Sequence, residues 1–247
     1  MTKKDKLLKE LHPLLFQGVA HRGLHNYNFT ENGINAFKNA LEHNFAIELD
    51  IHLSKDNELI VCHDSNLERV TGKYGIIEEL TLNEIKNNYR LLDDSQIPTF
   101  KEVLSLVNEQ VPMLVELKIR KNNCRSFVKK LKEDLKVIKN KKNIILISFS
   151  SRALIKLKNS GFFTSLLITT ANKVSHSLVY KLRFLFDSLD LDTKMLKESK
   201  VIKYRKKHIV FSWTTKTIDE LNSDIKYADF ITFQDIDPEI VKNLLNK

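Results

Sequence analysis

The chain has 247 residues, with 42% hydrophobic and 29% charged side chains, a composition typical of a folded protein with a sizeable core. A lysine-rich start and the lack of any apolar run approaching ~18 residues argue against a signal peptide and a membrane span, and two distant cysteines argue against a disulfide scaffold. We therefore expect a cytoplasmic protein, with a length close to the ~250 residues of a single (β/α)8 barrel.

The net charge of +9 is distributed unevenly along the chain. The first 120 residues carry 14 Lys and Arg against 18 Asp and Glu, whereas the remaining residues carry 26 against 13. A basic half suggests weak, peripheral association with an anionic membrane, but the solvated helix faces of a lysine-rich protein explain the same pattern. The sequence leaves both interpretations open, and we expect no nucleic-acid partner.

Short apolar runs alternate with amphipathic stretches of helical period along the chain. Strands are predicted at residues 18–20, 46–53, 113–117, 144–148, 165–168, 209–212 and 230–233, with an eighth near 184–190. Helical patterns follow several of them, at residues 33–44, 124–140, 153–157 and 217–221. This alternation predicts parallel strands joined by crossover helices, and a count of eight favours a closed barrel over an open sheet.

The segment from residue 51 to residue 111 is too long for an ordinary connection between a strand and a helix. It contains a short strand pattern at 58–61, a turn near 72–75 and a helical pattern after Pro98. We predict a small insertion after the second strand, within a single barrel domain spanning residues 1–247.

Four clusters of ionisable residues stand at the ends of predicted strands. His21 and Arg22 follow the first strand, and they offer a group that titrates near neutral pH and a fork that matches phosphate oxygens. His63 closes the short strand of the insertion, where Asp64 could orient its ring or simply cap the next turn. Catalytic groups of barrel enzymes lie at the carboxyl ends of the strands.

The other two clusters are rich in carboxylates. Glu48, Asp50 and His52 alternate along the second strand and therefore share one face. Glu116 and Lys118 alternate in the same way at the end of the third barrel strand. Buried carboxylates repel each other unless a cation lies between them, and oxygen-only ligands suit Mg²⁺ or Ca²⁺. Ion pairs with Arg22 or Lys118 would also relieve the repulsion, so both interpretations stay open.

Together the four clusters would converge on one mouth of the barrel. Two histidines, three carboxylates and two cationic side chains meet the needs of metal-assisted phosphodiester cleavage, in which negative charge develops and a leaving alkoxide is protonated. A non-catalytic module that binds phosphate groups of lipid or nucleic acid would not need both histidines and all three carboxylates. The clusters therefore favour an enzyme.

These motifs, in this order, resemble the signature of the glycerophosphodiester phosphodiesterase family. The similarity is closest over residues 18–118 and is carried by His21-Arg22-Gly23, Glu31-Asn32, Glu48-x-Asp50, His63-Asp64, Pro98-Thr99-Phe100 and Glu116-x-Lys118, with weaker matches at Ser148-Phe149, Trp213-Thr214 and Asp235-x-Asp237-Pro238. Two segments depart from the family pattern: Thr30 to Gly33, which changes a helix entry, and Ile231 to Asp235, which leaves the register of the last strand open.

The resemblance implies a (β/α)8 TIM barrel that hydrolyses a small glycerophosphodiester to glycerol 3-phosphate and an alcohol. It also implies a role for each cluster: Glu48, Asp50 and Glu116 would hold Mg²⁺ or Ca²⁺, His21 and His63 would be the acid/base pair assisted by Arg22, Arg22 and Lys118 would contact the phosphate, and Trp213 would line the glycerol pocket. A lysophospholipase D acting on membrane lysophospholipids would use the same residues, so the sequence leaves that alternative open.

Overall fold

The computed structural model describes residues 2–120, 122–170 and 181–246. Its centre is one sheet of nine strands: β1 (Val19–Ala20), β2 (Ala46–Leu53), β3 (Leu59–Val61), β4 (Met113–Leu117), β5 (Ile144–Ser148), β6 (Phe163–Ile168), β7 (Ser188–Asp192), β8 (Ile209–Thr215) and β9 (Phe230–Phe233). All except β3 pair in parallel, and β1 pairs with both β2 and β9, which closes the eight parallel strands into a barrel. The predicted (β/α)8 fold is confirmed.

Ten α-helices surround or flank the barrel in the described part of the chain. They are α1 (Lys3–Glu10), α2 (Ile34–Glu42), α3 (Glu68–Thr71), α4 (Leu82–Asn88), α5 (Phe100–Val107), α6 (Cys124–Asp134), α7 (Ser151–Leu157), α8 (Ser199–Arg205), α9 (Ile218–Asp224) and α10 (Pro238–Leu245). Among these described helices, none is long and apolar enough to cross a membrane.

The alternation of side chains along each strand divides the apolar residues into two layers. One layer fills the barrel interior and includes Leu114, Ile145 and Phe211. The other lies between the strands and the surrounding helices and includes Ile47 and Leu49 of β2. Glu48 and Asp50 lie on the opposite face of β2 from Ile47 and Leu49, and so they point into the barrel. Leu7 and Leu8 of α1 pack against the interior layer and cover the amino-terminal end of the barrel.

The position predicted for the eighth strand is wrong by several residues. The strand begins at Ser188 and ends at Asp192, whereas the preceding apolar residues Leu182–Leu185 form a short 3₁₀ helix. Phe184 is 61% exposed and packs against the rings of Tyr204 and His208, which explains why an apolar run here does not form a strand.

The chain between β2 and β4 forms a compact layer beside the mouth of the barrel. β3 pairs antiparallel with the end of β2, and an apolar cluster of its own, including Leu67, Ile77 and Ile85, supports the layer. Its return to the barrel is set at Thr99, which caps α5 in a reciprocal pair of hydrogen bonds with Glu102. Such a cap is worth about 1 kcal/mol. Because β3 runs back along the carboxyl end of β2 to the level of Asp50, His63 emerges beside the strand ends.

Candidate active site

The three acidic residues predicted to bind a metal lie together inside the barrel. Asp50 of β2 is directly paired with Glu116 of β4, and Glu48 precedes Asp50 on the same face. One carboxylate oxygen from each residue lies within 4.8 Å of the others, and all three side chains are buried. The arrangement follows from strand alternation and from the parallel register of β2 and β4.

The electrostatics of this carboxylate cluster show a shortage of positive charge. Burial, followed by the charges of Asp50 and Glu116, raises the pKa of Glu48 well above its ordinary value. Burial also raises the pKa of Glu116 to about 7, despite the neighbouring Lys118. Only Asp50 has a lowered pKa. Burial would raise it, but the positive charges of Lys118, His63 and Arg22 lower it by more. Two of the three carboxyl groups therefore resist ionisation.

Both predicted cationic residues contact the carboxylate cluster. Lys118 Nζ lies 2.9 Å from Asp50 Oδ1 and 2.8 Å from Glu116 Oε1. Arg22 donates its backbone N–H to Glu48 Oε2 at 3.0 Å, and its guanidinium is shared between Asp50 at 3.5 Å and Glu31 at 2.8 Å. The ion pairs considered from the sequence are therefore present. They leave the charges unbalanced, because Arg22 also neutralises Glu31.

This imbalance is the observation that tests whether a divalent cation fits. Three buried carboxylates share one ammonium and part of one guanidinium, and burial, to which the charge of Asp50 adds, raises the pKa values of Glu48 and Glu116. A hard divalent cation with oxygen ligands would restore the balance and allow all three groups to ionise. The residues present fit Mg²⁺ and Ca²⁺ alike.

His21 lies deep in the site, immediately after β1. Its Nδ1 lies 2.7 Å from Gln234 Oε1, and its Nε2 lies 3.9 Å from Glu48 Oε2. Gln234 Nε2 donates to Asp235 Oδ2 at 2.8 Å, which turns the amide oxygen toward the imidazole. Since an amide oxygen only accepts, Nδ1 carries the proton and the Nε2 lone pair faces the cavity. Burial, followed by the charge of Arg22, lowers the pKa of His21 to about 3, so the ring is neutral.

His63 lies at the edge of the site, on the layer formed by the chain between β2 and β4. Its side chain is 32% exposed, and Nδ1 lies 2.7 Å from Asp64 Oδ1. Burial lowers its pKa, although the charge of Asp50 and the bond to Asp64 oppose that change. Arg69 bridges Asp64 and Glu31, and Glu31 contacts Arg22, so a chain of ion pairs links the two histidines' surroundings.

Two connected cavities open at the mouth. The inner one has a volume of about 150 Å³ and is lined by His21, Arg22, His63 and all the carboxylates of the cluster except Asp50. The outer one, of about 890 Å³, shares His63, Glu116 and Lys118 with it. Trp213 and Phe149 stand edge to face at 5.8 Å along the inner cavity. All eight predicted site residues are thus brought to one end of the barrel.

Three further residues contribute to this site beyond the eight predicted ones: Gln234, His52 and Asp190. Gln234 contacts His21 only because β9 pairs with β1, and its segment is one of the two that depart from the family pattern. His52 lies 3.0 Å from the carbonyl oxygen of His63 and 2.8 Å from Glu78 Oε1, so it supports the histidine loop. Asp190 of β7 lines the inner cavity, and the alternating polar residues of Ser188–Asp192 were the signal that could have identified it.

Comparison with known proteins agrees with this geometry. The model of the glycerophosphoryl diester phosphodiesterase family matches residues 21–201. A glycerophosphodiester phosphodiesterase from Bacillus altitudinis is 32% identical over 140 residues. That matched part covers 53% of this chain and 56% of the relative, so the chain matches little more than half of the relative's length.

Solved structures extend the similarity to almost the whole chain. A glycerophosphodiester phosphodiesterase from Thermotoga maritima superposes with a TM-score of 0.75 at 26% identity, covering 93% of this chain and 97% of that one. A phosphodiesterase from Oleispira antarctica, in complex with its product sn-glycerol-3-phosphate, superposes with a TM-score of 0.79 at 19% identity, covering 94% and 97%. At that identity the second comparison establishes the fold alone.

Proposed function

The chain belongs to the glycerophosphoryl diester phosphodiesterase family, and on that premise we propose that it hydrolyses glycerophosphodiesters to glycerol 3-phosphate and an alcohol. The observation that supports this most directly is the convergence of three buried carboxylates and two histidines at one barrel mouth. The product bound to the Oleispira phosphodiesterase, glycerol 3-phosphate, is the product we propose here.

In the proposed mechanism Glu48, Asp50 and Glu116 would hold Mg²⁺ or Ca²⁺. The bound cation would polarise a phosphoryl oxygen and offset the charge gained in the transition state. Arg22 and Lys118 flank the carboxylates and would orient the phosphate by charge-assisted hydrogen bonds. Lys118, which contacts Asp50 and Glu116, would orient the phosphate beside these carboxylates.

The two histidines suit opposite roles. His21 is buried and neutral and turns a lone pair toward the cavity, which suits a base for the attacking hydroxyl, either water or the glycerol 2-hydroxyl. His63 has its Nδ1 held by Asp64 and is partly exposed between the inner and outer cavities. It would protonate the alcohol as it leaves toward the outer cavity, while Trp213 lines the glycerol side.

A product assay tests this proposal. The metal-loaded protein is incubated with glycerophosphocholine, glycerophosphoethanolamine and lysophosphatidylcholine, and glycerol 3-phosphate, cyclic phosphate and free head group are measured. We expect glycerol 3-phosphate from the first two. Choline release from lysophosphatidylcholine alone would assign the lysophospholipase D activity instead, and turnover of none of the three would reject both assignments.

We also propose a weak association with anionic membranes through the end of the barrel opposite the mouth. Two basic runs, residues 139–142 before β5 and residues 203–207 before β8, lie at this end together with α1. The exposed lysines of these three segments include Lys3, Lys6, Lys139, Lys142, Lys206 and Lys207. A membrane bound here would leave the mouth facing water. This orientation favours a deacylated, water-soluble diester over a lysophospholipid that remains in the bilayer.

Neutralising this basic end is expected to weaken binding to anionic vesicles. Each cation near an anionic leaflet contributes about 1 kcal/mol, so replacing Lys142, Lys206 and Lys207 together with glutamine should lower the affinity for phosphatidylglycerol vesicles at least ~10-fold. Co-sedimentation with vesicles at several salt concentrations measures this affinity, which salt should lower. The matched control replaces Lys38, Lys55 and Lys129 with glutamine, because these lysines are exposed but lie outside the basic end. Equal binding of the native protein to phosphatidylcholine vesicles would contradict the proposal.

A further inference from the structure

One wall of the inner cavity carries buried polar groups that have no partner in the described part of the chain. These groups are Asp190 Oδ1 on β7, Trp213 Nε1 on β8 and Thr232 Oγ1 on β9. Asp190 and Thr232 are each only 1% exposed, and all three residues line the cavity that contains His21 and His63. In the mechanism proposed above, Trp213 lines the glycerol side of the cavity, but none of these three atoms has a role.

Strand register explains why the three groups form one patch. Asp190 pairs with Phe211, Asp192 pairs with Trp213, and Ser212 pairs with Ile231. Trp213 therefore lies on the strand between those of Asp190 and Thr232, one side-chain layer nearer the mouth than Asp190. In the order of the closed barrel, β7 and β8 lie across the interior from β2 and β4, so this polar wall faces the carboxylate cluster.

The chemistry of the polar wall restricts what can bind it. An indole N–H only donates, which makes the wall unsuitable for a cation. Hydroxyl groups on adjacent carbons of a ligand, by contrast, both donate and accept hydrogen bonds. They therefore match a wall that offers an N–H, a carboxyl and a hydroxyl among apolar residues such as Leu167 and Ile147. Buried polar groups are costly unless a partner satisfies them, so such a ligand would bind selectively.

We propose that Asp190 and Thr232, on the strands either side of the tryptophan that the family resemblance assigns to the glycerol pocket, bind the free hydroxyl groups of the glycerol moiety and thereby determine the preference for it. This inference rests on the proposed function and names residues that determine its specificity. A phosphate held beside Arg22 and Lys118 would place the attached glycerol carbons between the carboxylate cluster and the polar wall.

The ionisation of Asp190 agrees with this role. Burial, followed by the charge of Glu116, raises the pKa of Asp190 well above its ordinary value. A neutral carboxyl group both donates and accepts a hydrogen bond, as a hydroxyl ligand requires, and it does not repel the adjacent phosphate.

Direct binding measurements test the inference without relying on turnover. Titration calorimetry of the metal-loaded protein gives dissociation constants for sn-glycerol 3-phosphate and for ethyl phosphate, which lacks the free hydroxyls. We expect native protein to prefer glycerol 3-phosphate by about 10-fold or more, since each hydrogen bond to a buried group contributes about 3–10-fold. Asp190→Leu and Thr232→Val should each reduce this preference by about 3–10-fold while the affinity for ethyl phosphate stays the same.

Ser212 provides the matched control. Its hydroxyl is also buried and without a partner in the described residues, but it lies on the other face of β8 and does not line the cavity. Ser212→Ala should leave the preference unchanged. If circular dichroism shows that Asp190→Leu does not fold, the inference is judged from the ligand preference of Thr232→Val and of the native protein.

Three results would overturn the inference: no preference in the native protein, an unchanged preference in the Asp190 and Thr232 variants, or equal weakening of both ligands. The proposed function fails separately. Binding of neither ligand, together with no turnover of glycerophosphocholine, would reject it and the inference with it. Turnover of glycerophosphocholine without a preference for glycerol 3-phosphate would reject the inference alone.

Discussion

Removing any one of the three buried carboxylates is expected to abolish divalent-metal binding and nearly all turnover. The variants are Glu48→Gln, Asp50→Asn and Glu116→Gln, which keep the shape of each side chain. A cation that offsets transition-state charge contributes several kcal/mol, so turnover should fall by at least ~10³-fold. Chelation of the native protein should have the same effect, and Mg²⁺ or Ca²⁺ should restore activity only in the native protein.

Thermal unfolding supplies a second readout that does not depend on activity. A metal that binds only the folded state raises Tm with concentration, so native protein should show this increase and the three variants should not. The increase should also depend on pH. Because the pKa of Glu116 is raised from 4.5 to about 7, its neutral form stabilises the metal-free fold below pH 4.5, and this contribution is lost as the pH rises through 7. The increase in Tm on adding metal should therefore be larger at pH 8 than at pH 6.

Glu79→Gln is the matched control, because Glu79 is an exposed glutamate of the layer between β2 and β4, away from the cavity. It should bind metal and turn over substrate like the native protein. Full activity of the native protein in excess chelator would contradict the metal prediction. An increase in Tm that persists in all three carboxylate variants would also contradict it.

The convergence of the site could be predicted from the sequence because it depends on a few local rules. Alternation along one strand places Glu48 and Asp50 on the same face, and the carboxyl ends of parallel strands meet at one mouth, which brings Glu116 to them. Neither step needs the exact register. A closed barrel follows from the count of strands, so an error of several residues in β7 did not change the predicted fold.

The parts that could not be predicted depend on contacts between distant segments. Gln234 meets His21 only when β9 closes against β1, and that register could not be predicted because residues 231–235 depart from the family pattern. Asp190 lay within the predicted eighth strand, but its place on the interior face depends on how β7 pairs with β6 and β8, which is a contact between distant segments. The link from Glu31 through Arg69 to Asp64 depends on how the layer between β2 and β4 folds over the mouth.

Replacing either catalytic histidine with alanine is expected to lower turnover by about 10²–10⁴-fold, the usual contribution of general acid–base catalysis. The two losses should differ with the leaving group. A p-nitrophenyl ester of glycerol phosphate has a leaving group that needs little protonation, so it should rescue much of the His63→Ala defect and little of the His21→Ala defect. His43→Ala is the control, since that ring lies at the closed end of the barrel against Asn39.

The pH dependence of the rate distinguishes the same roles in the native protein. Activity requires His63 protonated, so it should fall as the pH rises through the pKa of His63, which burial lowers in the free protein. A bound phosphodiester is an anion and favours the protonated ring, so this alkaline limb should lie at higher pH for kcat than for kcat/KM. The limb should disappear with the p-nitrophenyl substrate, which does not need the acid. Burial lowers the pKa of His21 to about 3, so His21 stays neutral near neutral pH and contributes no limb there. Equal rescue of both histidine variants would overturn the assignment of acid and base, and an alkaline limb that persists with p-nitrophenol as leaving group would show that His63 acts in another step.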